Sequence, residues 1–309
     1  MIDTLLPVLP VVLLFVAGFA LQKINFFSSE AIVGIKRIVS DIALPALMFK
    51  AFLSIEASSS SIILVAAIFL TCLVMVALGR FIAPLVKISS PYFSIMMGGF
   101  EMGMLGYALF LALYGSENLG KIALVDLGQV LFVFFVLMAL LIKERDGVQN
   151  PKVLVKQFVS SPVIIAILSG LILSFFADRV EVTPLLQSLS SFIDMVGSLT
   201  VPLIAISIGY TIHIDTGNLA LSVKTIVVRK ILALIFVLIL NSLIVESLLG
   251  LDRMYSYAMM VMFLTPPPFV ISIFMKQSDK KNMDYVANTL SLETVISIIM
   301  IIAAAALYV

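Results

Sequence analysis

Apolar residues in this chain fall into long unbroken runs instead of alternating with polar ones. Ten runs can be drawn, at about 4–22, 33–54, 60–83, 92–115, 121–142, 157–177, 186–211, 226–248, 254–275 and 285–308. Each is long enough to cross about 30 Å of hydrocarbon as a helix. Only helices and closed barrels satisfy the backbone there, and a barrel strand would alternate. The pattern therefore predicts an all-α polytopic membrane protein of ten transmembrane helices. Turn-rich or charged breaks separate the runs, among them Ser58–Ser61, Ser89-Ser90-Pro91, Lys143–Pro151, Arg179–Pro184, Asp215–Asn218 and Gln277–Asn282. The first run has no basic start and no small-residue cleavage pattern, so it reads as a span and not as a signal peptide.

Composition narrows the class. Hydrophobic residues make up 62% and charged residues 12%, with a mean hydropathy of +1.21. A soluble core cannot absorb that much apolar side chain and still leave a polar surface. This excludes an ordinary cytosolic enzyme, a nucleic-acid binder and a disordered chain. Ten helices of about 22 residues leave too little of the 309 for a separate soluble domain. A single cysteine, Cys72, excludes a disulfide framework, and a single histidine, His213, argues against a histidine metal cage. No metal or organic cofactor is expected, and His213 is expected at the surface. The sixteen methionines read as adaptable packing.

Lys and Arg set the orientation. Fifteen fall on the loops and helix ends after runs one, three, five, seven and nine, including Lys143, Arg145, Lys152, Lys156, Lys224, Arg229 and Lys230. Three fall on the other side, namely Lys121, Arg179 and Arg253. The bias places the odd loops in the cytoplasm and both termini outside, in the plasma membrane.

The loop at 143–156 splits the chain into a first half, 1–142, and a second, 157–309, of five spans each. An odd number per half turns one half upside down relative to the other, the signature of inverted-repeat transporters. Leu44-Pro45 in span two matches Val201-Pro202 in span seven, and Tyr92, Met96-Met97 and Phe100 in span four match Tyr255, Met259-Met260 and Phe263 in span nine. Span four carries Gly98, Gly99, Gly103 and Gly106 around Glu101, and span nine carries Thr265-Pro266-Pro267-Pro268. Glycines weaken a helix and prolines cannot continue one. Breaks at matching places in two inverted halves point to a midplane site, where freed N–H groups favour an anion. Packing kinks are the alternative reading.

Glu101 leads the candidates. A carboxylate at bilayer depth costs roughly 2.5–3.5 kcal/mol on insertion scales, so such groups usually line a pathway. It suits a proton carrier, or else it caps the broken half-helix. Gly99, Gly103, Thr265 and the three prolines frame it. Lys50 either offers a cation to a substrate carboxylate or snorkels to the outer interface. Asp41 and Asp194 line a cleft or are structurally paired, Asp41 with Lys36 or Arg37. Asp126 and Gln129 share a face of span five, and Asn288 and Glu293 share span ten. These four either complete an ion site of oxygen ligands, for H+ or Na+, or bond helix to helix. Pro45 and Pro202, in spans two and seven, join the candidate substrate-binding or coupling residues, with packing kinks as the alternative.

Ile42-Ala43-Leu44-Pro45-Ala46-Leu47-Met48-Phe49 resembles the signature of the auxin efflux carrier family, which includes plant PIN-FORMED carriers and bacterial malate or malonate permeases. Leu105-Gly106, Tyr114-Gly115, Val201-Pro202, Gly209 and the prolines of span nine are similar too. The resemblance implies a ten-helix crossover fold. Spans one, two, six and seven would form a scaffold and a possible homodimer interface. Spans three to five and eight to ten would form a mobile transport domain in which four and nine cross. It also implies a polar residue near Gln129. Family members often carry Asn in the span-four break, where this chain has Glu101. No hydrolase, zinc-protease or P-loop motif is present, which disfavours an enzyme or an ATP-driven pump. The reading is a secondary transporter for a small organic anion of the carboxylate type, working by alternating access. A channel or sensor of the same fold is the alternative.

Overall fold

A computed structural model describes residues 6, 9–55, 59–147, 156, 159–176, 183–212, 219–276 and 278–308. His213 and most of the 143–156, 179–184 and 215–218 loops lie outside the described residues. Among the described residues the secondary structure is helical throughout, with no strand. Among the described residues, five helices are long and apolar enough to cross a membrane: Ser60–Leu85, Ser116–Asp146, Pro184–Thr211, Leu219–Leu248 and Lys280–Leu307. A sixth span arises if Pro91–Met97 and Met102–Tyr114 count as one bent span, and two shorter apolar helices run Leu9–Lys23 and Pro162–Ser174. Large side chains such as Phe81, Leu85, Ile62 and Leu307 face outward almost fully exposed. That is costly in water and natural in lipid.

The chain divides into two compact units that interleave the sequence halves. The first holds 1–58, 103–124 and 155–212, and the second holds 59–102, 125–154 and 213–309. The resemblance assigned span four and span five wholly to the transport domain, whereas residues 103–124 cluster with the first unit.

In the first unit Leu9–Lys23 packs along Thr200–Thr211, and Leu44–Leu53 along Pro162–Ser174. The first contact is made by two glycines. A Cβ on Gly18 would run into the carbonyl of Ile206, and one on Gly209 into the carbonyl of Phe15. Lipid gives helices no hydrophobic reason to associate, so close backbone approach through small residues supplies the packing. Helix geometry is disturbed just ahead of each proline landmark. A π-helical turn, Val39–Ala43, precedes Pro45, and the helix ending at Ser198 restarts at Thr200, before Pro202.

The second unit packs Ser59–Leu85, Pro91–Met97, Leu219–Leu240, Arg253–Leu264 and Lys280–Tyr308 around a core of Phe93, Met96, Phe100, Phe132, Met259 and Phe263. The rings of Phe100 and Phe263 meet with centroids 4.5 Å apart. Asn241–Leu248 continues the helix Leu219–Leu240 as a π-helix.

Candidate functional site

Two broken helices meet inside the second unit. Pro91–Met97 ends at Gly98, which is extended, and Gly99 follows with φ +78°. A side chain is strained in that backbone region, and a Cβ on Gly99 would also sit 3.0 Å from the Pro268 ring. Arg253–Leu264 ends at Thr265, also extended, and helical structure returns only at Val270–Ile273. The cause is local in both cases: glycine permits the first turn, and three prolines remove the donors a helix would need. The extended segments bond to each other, the N–H of Glu101 donating to the carbonyl of Pro266 at 2.9 Å.

Side chains also bond across the junction. The Glu101 carboxylate accepts from the N–H of Phe269 at 2.6 Å, just ahead of the short second half-helix. Gln129 accepts from the N–H of Phe100 at 3.2 Å and donates to Asp126 at 2.7 Å. Thr265 is fully buried and its hydroxyl donates back to the carbonyl of Met262.

The carbonyl ends of the first half-helices are held by two residues that sequence reasoning placed elsewhere. Arg229 Nε donates to the carbonyl of Met96 at 2.8 Å, and its two Nη atoms to those of Thr265 at 2.9 Å and Gly99 at 2.6 Å. Lys230 Nζ donates to the carbonyl of Leu264 at 2.6 Å and to Ser297 at 2.9 Å. Both cations contact Glu293 Oε1 at 3.0 Å, and Glu293 is fully buried, its Oε2 without a hydrogen-bond partner among the described residues. The guanidinium also lies over the Phe100 ring, 5.1 Å from its centroid. A helix C-terminus leaves carbonyls without donors and carries partial negative charge, and lipid offers no water to either. Arginine has five N–H donors in a planar fork, enough to serve both breaks at once.

This corrects the charge count. Arg229 and Lys230 were assigned to the cytoplasmic end of span eight, drawn from about 226. The helix instead begins at Leu219, which puts both near its middle and buries them. Removing two from fifteen leaves thirteen against three. The signal that would have found them is adjacent cations inside an apolar run, where each needs a carboxylate or carbonyl partner.

The other candidates separate by unit. Asn288 donates to Ser222 Oγ, joining span ten to the helix Leu219–Leu240. Pro45, Lys50, Gly103, Asp194 and Pro202 belong to the first unit, where Lys50 forms an ion pair with Asp194. Asp41 bonds Arg37 at 3.3 Å and Ser40 at 2.8 Å, the paired reading of that residue.

Apolar helices with lipid-type surfaces mark a multi-pass membrane protein. The comparisons agree. A family model described as membrane transport protein matches residues 3–150. An uncharacterized transporter of Methanocaldococcus jannaschii is 30% identical over 217 residues, covering 66% of this chain and 68% of that protein. The chain belongs to this membrane transport family, that of the auxin efflux carriers, and is a transporter rather than an enzyme.

Proposed function

We infer that this protein is a secondary active transporter that moves a small organic anion of the carboxylate type by alternating access, coupled to H+ or Na+. The observation that carries the reading is the Glu101 carboxylate on the N–H of Phe269. The broken span nine offers a backbone donor to a carboxylate, and here the chain's own carboxylate takes it. A substrate carboxylate would compete for the same donor while Glu101 turns away. Arg229 and Lys230 set two cations behind the breaks, both in contact with Glu293.

Around this junction we read ten spans as two inverted halves, with both termini outside the plasma membrane. The helix disturbances directly before Pro45 and Pro202 support that pairing. The half-helices before the breaks differ, with 7 residues in Pro91–Met97 and 12 in Arg253–Leu264, so a register that aligns Tyr92 with Tyr255 does not also align the breaks. A homodimer through spans of the first unit fits the exposed Leu185, Leu189, Phe192 and Met195.

The test starts with a thermal-shift screen of carboxylates on purified protein at two pH values, with and without sodium. Counterflow in liposomes follows, in which a carrier exchanges labelled for unlabelled substrate and a channel shows no saturable exchange. Glu101→Gln keeps an oxygen to accept from Phe269 but cannot titrate. It should retain exchange and lose the pH dependence of net uptake. An unchanged pH profile removes the coupling role of Glu101, and a protein that fails to fold assigns it to capping.

A further inference from the structure

A second set of charges lies wholly within the first unit. Lys50 on Leu44–Leu53 is ion-paired with Asp194 on Pro184–Ser198, and both side chains remain close to half exposed. The pair opens onto a cavity of about 610 Å³ that Glu117, Ser116 and Ser198 also line, with Leu47, Leu111 and Ile193 as apolar wall. Glu117 is carried by the turn Ser116–Asn118, directly after Gly115 with φ +79°. An apolar cavity of about 430 Å³ shares Lys50 and Ile193 with the first.

Asp194, Glu117 and Lys50 line that larger cavity, with the Glu117 carboxylate lying back against Gly115. A ligand bearing only a carboxylate must draw Lys50 from Asp194, strand Asp194, and approach Glu117 against like charge. A ligand bearing only an amine strands Lys50 instead. A ligand with both charges exchanges partners one for one, its carboxylate on Lys50 and its ammonium on Asp194, with Glu117 adding to the second. Lys50 and Asp194 are adjacent, so a ligand whose two charges are also neighbours, as on an α-amino acid, meets both with the least side-chain movement. Resting on the reading of this chain as a carboxylate carrier, we propose that this cavity selects carboxylates carrying an adjacent ammonium group, the α-amino acids.

The test uses three probes with the same carbon chain, α-aminobutyrate, butyrate and butylamine, titrated against the melting temperature of the purified full-length protein. α-Aminobutyrate should bind about tenfold tighter than either other probe, the worth of one charge-assisted hydrogen bond. Asp194→Asn frees Lys50, so butyrate should tighten while α-aminobutyrate loses its advantage, a reversal that loss of packing alone cannot produce. Glu117→Gln should weaken butylamine and strengthen butyrate, and it carries the test if the Asp194 variant does not fold. Equal binding of butyrate and α-aminobutyrate, a uniform loss in the variants, or no shift with any probe overturns the proposal. Carboxylate counterflow that persists without amino-acid preference overturns this proposal alone, whereas absence of counterflow removes the carrier reading beneath it.

Discussion

Glu293 is where the junction can be tested most sharply. Its Oε1 receives both Arg229 and Lys230 at 3.0 Å, and all three side chains are buried. Glu293→Gln keeps a carbonyl oxygen for one of those contacts but removes the charge, leaving two adjacent cations without the carboxylate that contacts both. Removing one partner of a buried pair costs about 3–5 kcal/mol, much of the 5–15 kcal/mol that holds a typical fold together. At roughly 2–4 °C per kcal/mol the melting temperature should fall by roughly 6–20 °C. The assay is thermal unfolding in detergent, followed by size exclusion. Two controls bracket it. Asp146→Asn at the exposed Arg145–Asp146 pair should leave the melting temperature essentially unchanged. Adding Lys230→Met to Glu293→Gln removes one of the two stranded cations, so the double variant should lose less than the sum of the singles. A Glu293→Gln protein that melts within a degree or two of the parent refutes the idea that this carboxylate neutralises the cations holding the breaks.

Further outcomes follow from the same geometry. Gly99→Ala places a Cβ at φ +78° and against Pro268, and should cost about 1–2 kcal/mol and slow exchange, read by melting temperature and counterflow. Gly209→Leu drives a side chain into the Phe15 backbone and should destabilise the first unit by at least about 2 kcal/mol, whereas Gly34→Ala, in open space, should not destabilise it. In a Cys72→Ser background, Val148→Cys should be labelled by impermeant maleimide only after the membrane is opened, and labelling from outside intact cells reverses the proposed topology.

The sequence by itself determined the class. Uninterrupted apolar runs and the scarcity of charge admit only a helical membrane protein, and the breaks are legible because glycine runs and consecutive prolines act on the backbone locally. Glu101 and Gln129 were found as polar residues in apolar surroundings, which is again a local property. What only the tertiary structure decided is which groups meet. That Glu101 bonds Phe269, 168 positions away, depends on how two chain segments approach, and no local propensity encodes it. The largest gap was Arg229 and Lys230. A cation near the edge of an apolar run has the same sequence signature whether it reaches water at the interface or turns inward. Only the packing of Leu219–Leu240 against both breaks, with Glu293 arriving from Lys280–Tyr308, made the inward position the one with partners.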